Sequence, residues 1–87
     1  MQEEIVRRVT EAYERGEPIA YSRGPLADRR AKSVLGLPGH QSAVCSAIRK
    51  AVEERLIVKV VTDRTSKVYF SDRVKDYPVV ELHPVLP

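Results

Sequence analysis

The stretch Ala31–Ile57, AKSVLGLPGHQSAVCSAIRKAVEERLI, decides how the chain reads. It predicts a short helix, a tight turn at Gly36-Leu37-Pro38, and a longer amphipathic helix from Gly39 to about Arg55. Pro38 disfavours a helix running through it, and Gly36 tolerates the positive φ that such a turn requires. In the second helix Val44, Ile48, Ala51 and Val52 recur at steps of three and four, so they share one stripe. The opposite face carries Gln41, Ser42, Ser46, Arg49 and Lys50, all able to donate hydrogen bonds. A polar and basic helix presented after a tight turn suits the shape and chemistry of the DNA major groove.

Working outward, Glu3 to Arg15 predicts a first helix, with Ile5, Val9 and Ala12 at helical spacing and Gly16 as its stop. Ile19-Ala20-Tyr21 is a short apolar patch fit for a small first strand. Pro25 sits where the next helix begins, and Leu26, Ala27, Ala31, Val34 and Leu35 are expected to face the core. After the long helix, Leu56–Thr62 and Lys67–Ser71 are β-prone runs joined by the polar Asp63-Arg64-Thr65-Ser66, a pattern consistent with a hairpin. From Asp72 the composition changes. Its last part, YPVVELHPVLP, holds three prolines in eleven residues, which argues for an extended segment. The expected organisation is an α+β domain over residues 1–71, with three helices and a C-terminal hairpin, followed by a Pro-rich tail over 72–87.

The order and spacing resemble those of the winged helix-turn-helix regulators of bacteria and archaea. Their pattern is a small residue, then L-G-L-S, a few polar residues, T/S-V-S, and a hydrophobic step to L-I. Here it stands as Ala31, Val34, Leu35-Gly36-Leu37-Pro38, Ser42-Ala43-Val44, Ile48, Val52 and Leu56-Ile57. Pro38 replaces the Ser or Thr that often caps the second helix, and Gly39 is the expected substitute cap. With the strands that follow, the resemblance covers roughly residues 5 to 71. It implies a small winged helix-turn-helix that binds double-stranded DNA as a transcriptional regulator, commonly as a homodimer on two half-sites. Helix one and the tail are the available dimer surfaces.

Several residues follow as candidate DNA contacts. Gln41 and Ser42 lie at the helix end that approaches base edges, where His40 either joins them or caps the helix. Ser46, Arg49 and Lys50 continue the same face, with the two cations suited to phosphate or guanine. Arg64 and Lys67 flank the expected wing tip, which would touch the flanking backbone or the minor groove. Arg23, Arg29, Arg30 and Lys32 precede or line the first helix of the motif and are placed for phosphate contacts.

The charge distribution points the same way. Residues 22–50 carry Arg23, Arg29, Arg30, Lys32, Arg49 and Lys50 against Asp28 alone, whereas the flanking segments are acidic or balanced. A polyanion would dock on that segment. Eighty-seven residues allow one domain, and an apolar content of 43% is ordinary for a globular chain. The single cysteine, Cys45, rules out an internal disulfide and is expected at the edge of the apolar stripe. His40, Cys45 and His83 show no metal-ligand spacing, and no phosphate-cradling glycine loop, nucleophile elbow or apolar carboxylate pair is present, so neither an enzyme nor a cofactor is expected. The lack of a long apolar run and the charged start MQEEIVRR lead to the expectation of a cytoplasmic protein. Two other uses of the same architecture remain open: a protein-contact module in a larger replication, transcription or secretion assembly, and RNA binding by the basic face.

Overall fold

The computed structural model describes residues 1–85 and runs α1 (Gln2–Glu14), β1 (Ile19–Ser22), α2 (Ala27–Leu35), α3 (Gln41–Glu53), β2 (Ile57–Tyr69) and β3 (Val74–Pro84). It is a small α+β fold with three helices and one three-stranded antiparallel sheet in the order β1-β3-β2. The sequence that lies last in this chain therefore lies at the centre of its sheet.

Each helix forms for a local reason and then buries one face. In α1, Ile5, Val9 and Ala12 are fully buried along one stripe. In α3, Val44, Ile48 and Ala51 are buried with Val52 half-covered beside them, as the spacing predicted. Cys45 is buried at the margin of that stripe. In α2 the buried positions are Ala31 and Leu35. Leu26 and Val34, expected in the core, are instead 61% and 48% exposed. Leu26 precedes the helix in a left-handed conformation (φ 63°), which takes its side chain out of the helical stripe, and the helix begins at Ala27 rather than at Pro25. Ala31 and Ala51 are both completely covered.

Gly36 ends α2 in the left-handed region (φ 68°), where a side chain would be strained, and it starts the turn that the sequence placed there. The carbonyls freed at that end are taken by α1. Arg8 Nη1 donates to Leu35 O at 2.8 Å and to Gly36 O at 3.3 Å, while its Nε donates to Glu4 at 2.8 Å. A cation at a helix C-terminus also meets the negative end of the helix dipole. Hydrogen bonds from Arg7 and then Arg8 hold the Glu4 carboxyl below the ordinary carboxylate range. At the start of α3 the cap is His40, not Gly39: the His40 ring Nδ1 accepts from Ser42 N at 3.4 Å and lies 2.9 Å from Ser42 Oγ. An imidazole acceptor replaces the hydroxyl that Pro38 displaced.

The hairpin differs from expectation in two connected ways. First, Asp63–Ser66 is not a turn, and β2 runs unbroken from Ile57 to Tyr69. The polar run is accommodated as a bulge: between the pairs Val61↔Val80 and Thr65↔Pro78, three residues of β2 stand opposite Val79 alone. Thr62 Oγ1 donates to Val79 O at 2.7 Å there, giving a polar residue of the bulge a partner in the neighbouring strand. Second, the turn lies at Phe70–Arg73, closed by Phe70 N–H to Arg73 O at 2.8 Å, with Tyr69↔Val74 as the last pair of the ladder. The partner strand is the segment expected to trail outside the domain. Residues 74–84 form β3, pairing with β2 along its length and with β1 through Ile19↔Leu82 and Ser22↔Val79. Leu86 and Pro87 of the expected tail lie outside the described residues.

The prolines of β3 sit where a missing N–H is tolerated. Pro78 pairs with Thr65 just past the bulge and its carbonyl accepts from Arg23 N at 2.9 Å, and Pro84 is the last residue of the strand. Next to this junction Gly24 is buried against Tyr77, close enough that a Cβ at position 24 would fall 2.6 Å from the ring. The core joins these pieces: Ile19 and Tyr21 of β1, Ile57 of β2, and Val80 and Leu82 of β3 close on the buried faces of the three helices.

Two outcomes follow from this packing. Leu82, fully buried in the central strand, should cost about 2–5 kcal/mol when cut to alanine, measured by chemical denaturation. The same substitution in a loose tail would be silent. Burial, with a smaller contribution from the Asp28 carboxylate, pushes the Tyr21 phenol up to about 12. The folded state thus favours the neutral phenol, whose ordinary value is near 10. Its contribution to stability should be complete below pH 10 and disappear as the pH rises through 12. Comparing the melting of wild type and Tyr21→Phe at pH 9 and pH 11.5 checks this: the wild type should lose stability that the variant does not.

Candidate nucleic-acid interface

The residues singled out for DNA fall into three structural groups. The first is the outer face of α3. Ser42, Ser46, Arg49 and Lys50 are all exposed, on the side opposite Val44, Ile48 and Ala51, together with Ala43 and Glu53. The turn Gly36–His40 delivers the helix start to this surface. His40 is exposed and spends its Nδ1 on the cap, while Gln41 is partly buried with Nε2 2.8 Å from Cys45 Sγ. Neither charge nor bulk blocks the small side chains at 42, 43 and 46, so a flat approach to the helix is open along its first two turns.

The second group sits on and before α2. Arg29 is exposed, and with Leu26, Ala27, Asp28, Gln41 and Cys45 it lines a groove of ≈ 330 Å³ between the N-terminal ends of α2 and α3. Lys32 is partly exposed and Arg23 exposed on the loop after β1. Arg30 serves the fold: its Nη1 donates to Pro25 O at 2.7 Å, and its Nε and Nη2 are buried without a protein partner. A guanidinium so enclosed cannot reach a phosphate without leaving that site. The two helices are tied by Arg49 Nη2 to Asp28 Oδ2 at 2.9 Å, both side chains remaining largely exposed. Arg49 is thus presented but already neutralised. Lys50 makes no side-chain hydrogen bond or ion pair among the described residues, which leaves it as the free cation of this face.

The third group lies on the hairpin. With the turn moved to 70–73, Arg64 and Lys67 occupy the strand and do not flank its tip. Arg64 Nη2 pairs with Glu81 at 2.5 Å across the bulge, and Glu81 also bonds His83 Nε2 at 2.8 Å. The His83 ring in turn lies 5.1 Å from that of Tyr13, centroid to centroid. Arg64 therefore fastens β2 to the central strand. Lys67 is exposed opposite Asp76. The residues at the actual tip are Tyr69, Phe70, Ser71, Asp72, Arg73 and Val74. Sequence reasoning passed over them, although Ser71-Asp72 was a turn signal as good as Asp63-Arg64.

Among the described residues no cluster of His, Cys, Asp and Glu could hold a metal ion, and no helix is long and apolar enough to cross a membrane. α1 buries Ile5 and Val9, and β3 buries Val80 and Leu82, in the core of the chain itself. Comparison with protein-family models, with curated proteins and with solved structures gives no match to this chain.

Proposed function

We propose that this chain is a small winged helix-turn-helix domain that binds double-stranded DNA, with α3 entering the major groove and the β2–β3 hairpin acting as the wing. One observation carries the reading. The face of α3 opposite its buried stripe is exposed over its length, begins with small hydroxyl side chains and carries Arg49 and Lys50 ahead of Glu53 at its end. Hydroxyls reach base edges or phosphates at short range, and cations at the far end meet the backbone. The concentration of positive charge between residues 22 and 50 supports it, since duplex binding draws its strength from neutralised phosphates. A role as a transcriptional regulator on paired half-sites belongs to the same proposal, because two half-sites add the specificity that one small interface lacks.

The Arg49–Asp28 pair gives the proposal a distinctive signature. If Arg49 meets a phosphate, it must share or leave Asp28, and Asp28 repels the same phosphate. Asp28→Ala should then strengthen duplex binding about two- to fivefold, since exposed ion pairs are worth less than about 1 kcal/mol. Lys50→Ala should weaken binding equally on every sequence and lower the slope of log affinity against log salt by about 1. Ser42→Ala should instead change which sequence is preferred, by about 1–3 kcal/mol for a good base contact. Fluorescence anisotropy with labelled duplexes over a salt series reads all three. A wild-type domain with no salt-sensitive affinity for any duplex, tested against a random library, overturns the proposal.

A further inference from the structure

Aromatic residues are scarce in this chain, four Tyr and one Phe with no Trp, yet two of the five stand side by side at the hairpin turn. Tyr69 is 75% exposed, the most exposed large apolar side chain among the described residues. Its register partner Val74 is 49% exposed, and paired residues share one face of a ladder. Phe70 lies under the guanidinium of Arg73, 5.3 Å from the ring centroid. The tip is thus an apolar and aromatic point, with one cation stacked in place.

The tip also stands clear of the body. Pairing with β1 ends at Val79, so the ladder beyond it has β2 and β3 alone. The body still touches the arm through Arg23 N–H to Pro78 O and through Gly24 against Tyr77, and from Tyr77 to Val74 the strand advances three positions, about 10 Å at the ordinary rise. From Lys67 to Asp76 the exposed charges are Lys67, Arg73 and Lys75 against Asp72 and Asp76, with Asp76 opposite Lys67 in the register. Nearest the aromatic pair, the cations Arg73 and Lys75 face Asp72 alone. Among the described residues nothing covers Tyr69, and the ion pair that neutralises Arg64 lies further back along the strand.

We propose that this tip is a base-stacking point: Tyr69 packs on a base exposed where the duplex opens, with Arg73 and Lys75 on the flanking phosphates. The proposal rests on the duplex-binding reading and adds to it a preference for DNA that is gapped, mismatched or easily unstacked. Stacking on an aromatic ring is sequence-tolerant because every base has a π-face, and unstacking costs least where pairing is already lost. A β-hairpin narrow enough to carry one exposed ring at its end can enter an opened step without the helices following it. The Phe70–Arg73 stack keeps the Arg73 guanidinium at the turn beside Tyr69. Exposed aromatics beside cations also suit an anionic lipid surface, and the experiment separates the two.

The absence of tryptophan makes Tyr69→Trp a single reporter in the full chain. Its emission is followed during titration with a fully paired duplex, with the same duplex carrying a two-nucleotide gap, and with vesicles containing phosphatidylserine. Binding of the duplexes is measured in parallel by anisotropy for wild type and Tyr69→Ala. The expected result is strong quenching on the gapped duplex, tighter wild-type binding to it than to the paired one by about tenfold, and loss of that difference in Tyr69→Ala with the salt slope unchanged. Equal affinity for both duplexes, with no quenching and no effect of Tyr69→Ala, overturns the stacking point while duplex binding stands. A blue shift on vesicles without quenching on DNA overturns it in favour of lipid. If wild type binds neither duplex, the duplex-binding reading itself fails and the stacking point falls with it.

Discussion

Everything in this fold depends on one strand reaching the middle of the sheet from the end of the chain. β3 pairs with β1 on one side and β2 on the other, and no other element connects those two strands by a continuous ladder. Val80 and Leu82 put apolar side chains between the sheet and the helices from that central position. Without β3, β1 would be four isolated residues, and β2 would have no hydrogen-bond partner on either edge. The β1–β3 pairing closes a long loop whose entropy the ladder must offset, so contacts that hold the helices together without the sheet favour it. The Arg8 clamp on the end of α2 is well suited to that, because it joins two helices through charged and backbone groups independently of the sheet.

This dependence also explains what could be read in advance and what could not. The helices were legible because each has a 3.6-residue apolar stripe, and Val44, Ile48 and Ala51 fall inside as their spacing requires. The turn at Gly36 was legible because backbone conformation and residue type coincide there. The hairpin was misplaced because polarity was taken for a turn. Asp63-Arg64-Thr65-Ser66 has no glycine, asparagine or proline to reverse the chain, and two β-branched threonines border or occupy it. A bulge with a Thr62 hydrogen bond and an Arg64–Glu81 pair holds it extended. The C-terminal segment was misread through its prolines, which usually argue against a central strand. Position resolves the conflict: Pro78 lies beside the bulge, just past the last β1 pair, and Pro84 ends the strand, so both stand outside the doubly paired centre. Periodicity offered a clue, since Val80 and Leu82 alternate with Glu81 and His83 in the two-residue rhythm of a half-covered strand.

The candidate interface shows a similar division between what composition announces and what geometry allots. Of the cations counted toward a basic surface, Arg30 is enclosed by the loop it supports, Arg64 is paired with Glu81, and Arg49 is paired with Asp28. Charge counting treats them alike, but their availability to a phosphate differs in kind. Arg30 has a buried site to leave, whereas Arg49 need only trade one exposed partner for another, which costs little in water. Lys50, Arg29 and Arg23 have no such competitor among the described residues. The electrostatic footprint is therefore smaller than the sequence suggests and lies mainly along α3 and the flank of α2.

That reduction bears on how such a small domain could discriminate at all. For the proposed duplex binding, fewer free cations mean fewer neutralised phosphates and a shallower though still measurable salt slope, so selectivity would come from groups that make short-range contact. The structure offers two places with such groups, the hydroxyl-bearing start of α3 and the aromatic end of the hairpin, and they differ in what they can sense. Ser42 and Ser46 sit on a helix held by four buried side chains, where position is exact enough for hydrogen-bond geometry to matter. Tyr69 sits at the end of a two-stranded arm, where position is softer and a π-face, tolerant of small displacements, is the better probe. Rigid framework carries directional chemistry and mobile framework carries non-directional chemistry, which is the allocation that costs least conformational entropy on binding.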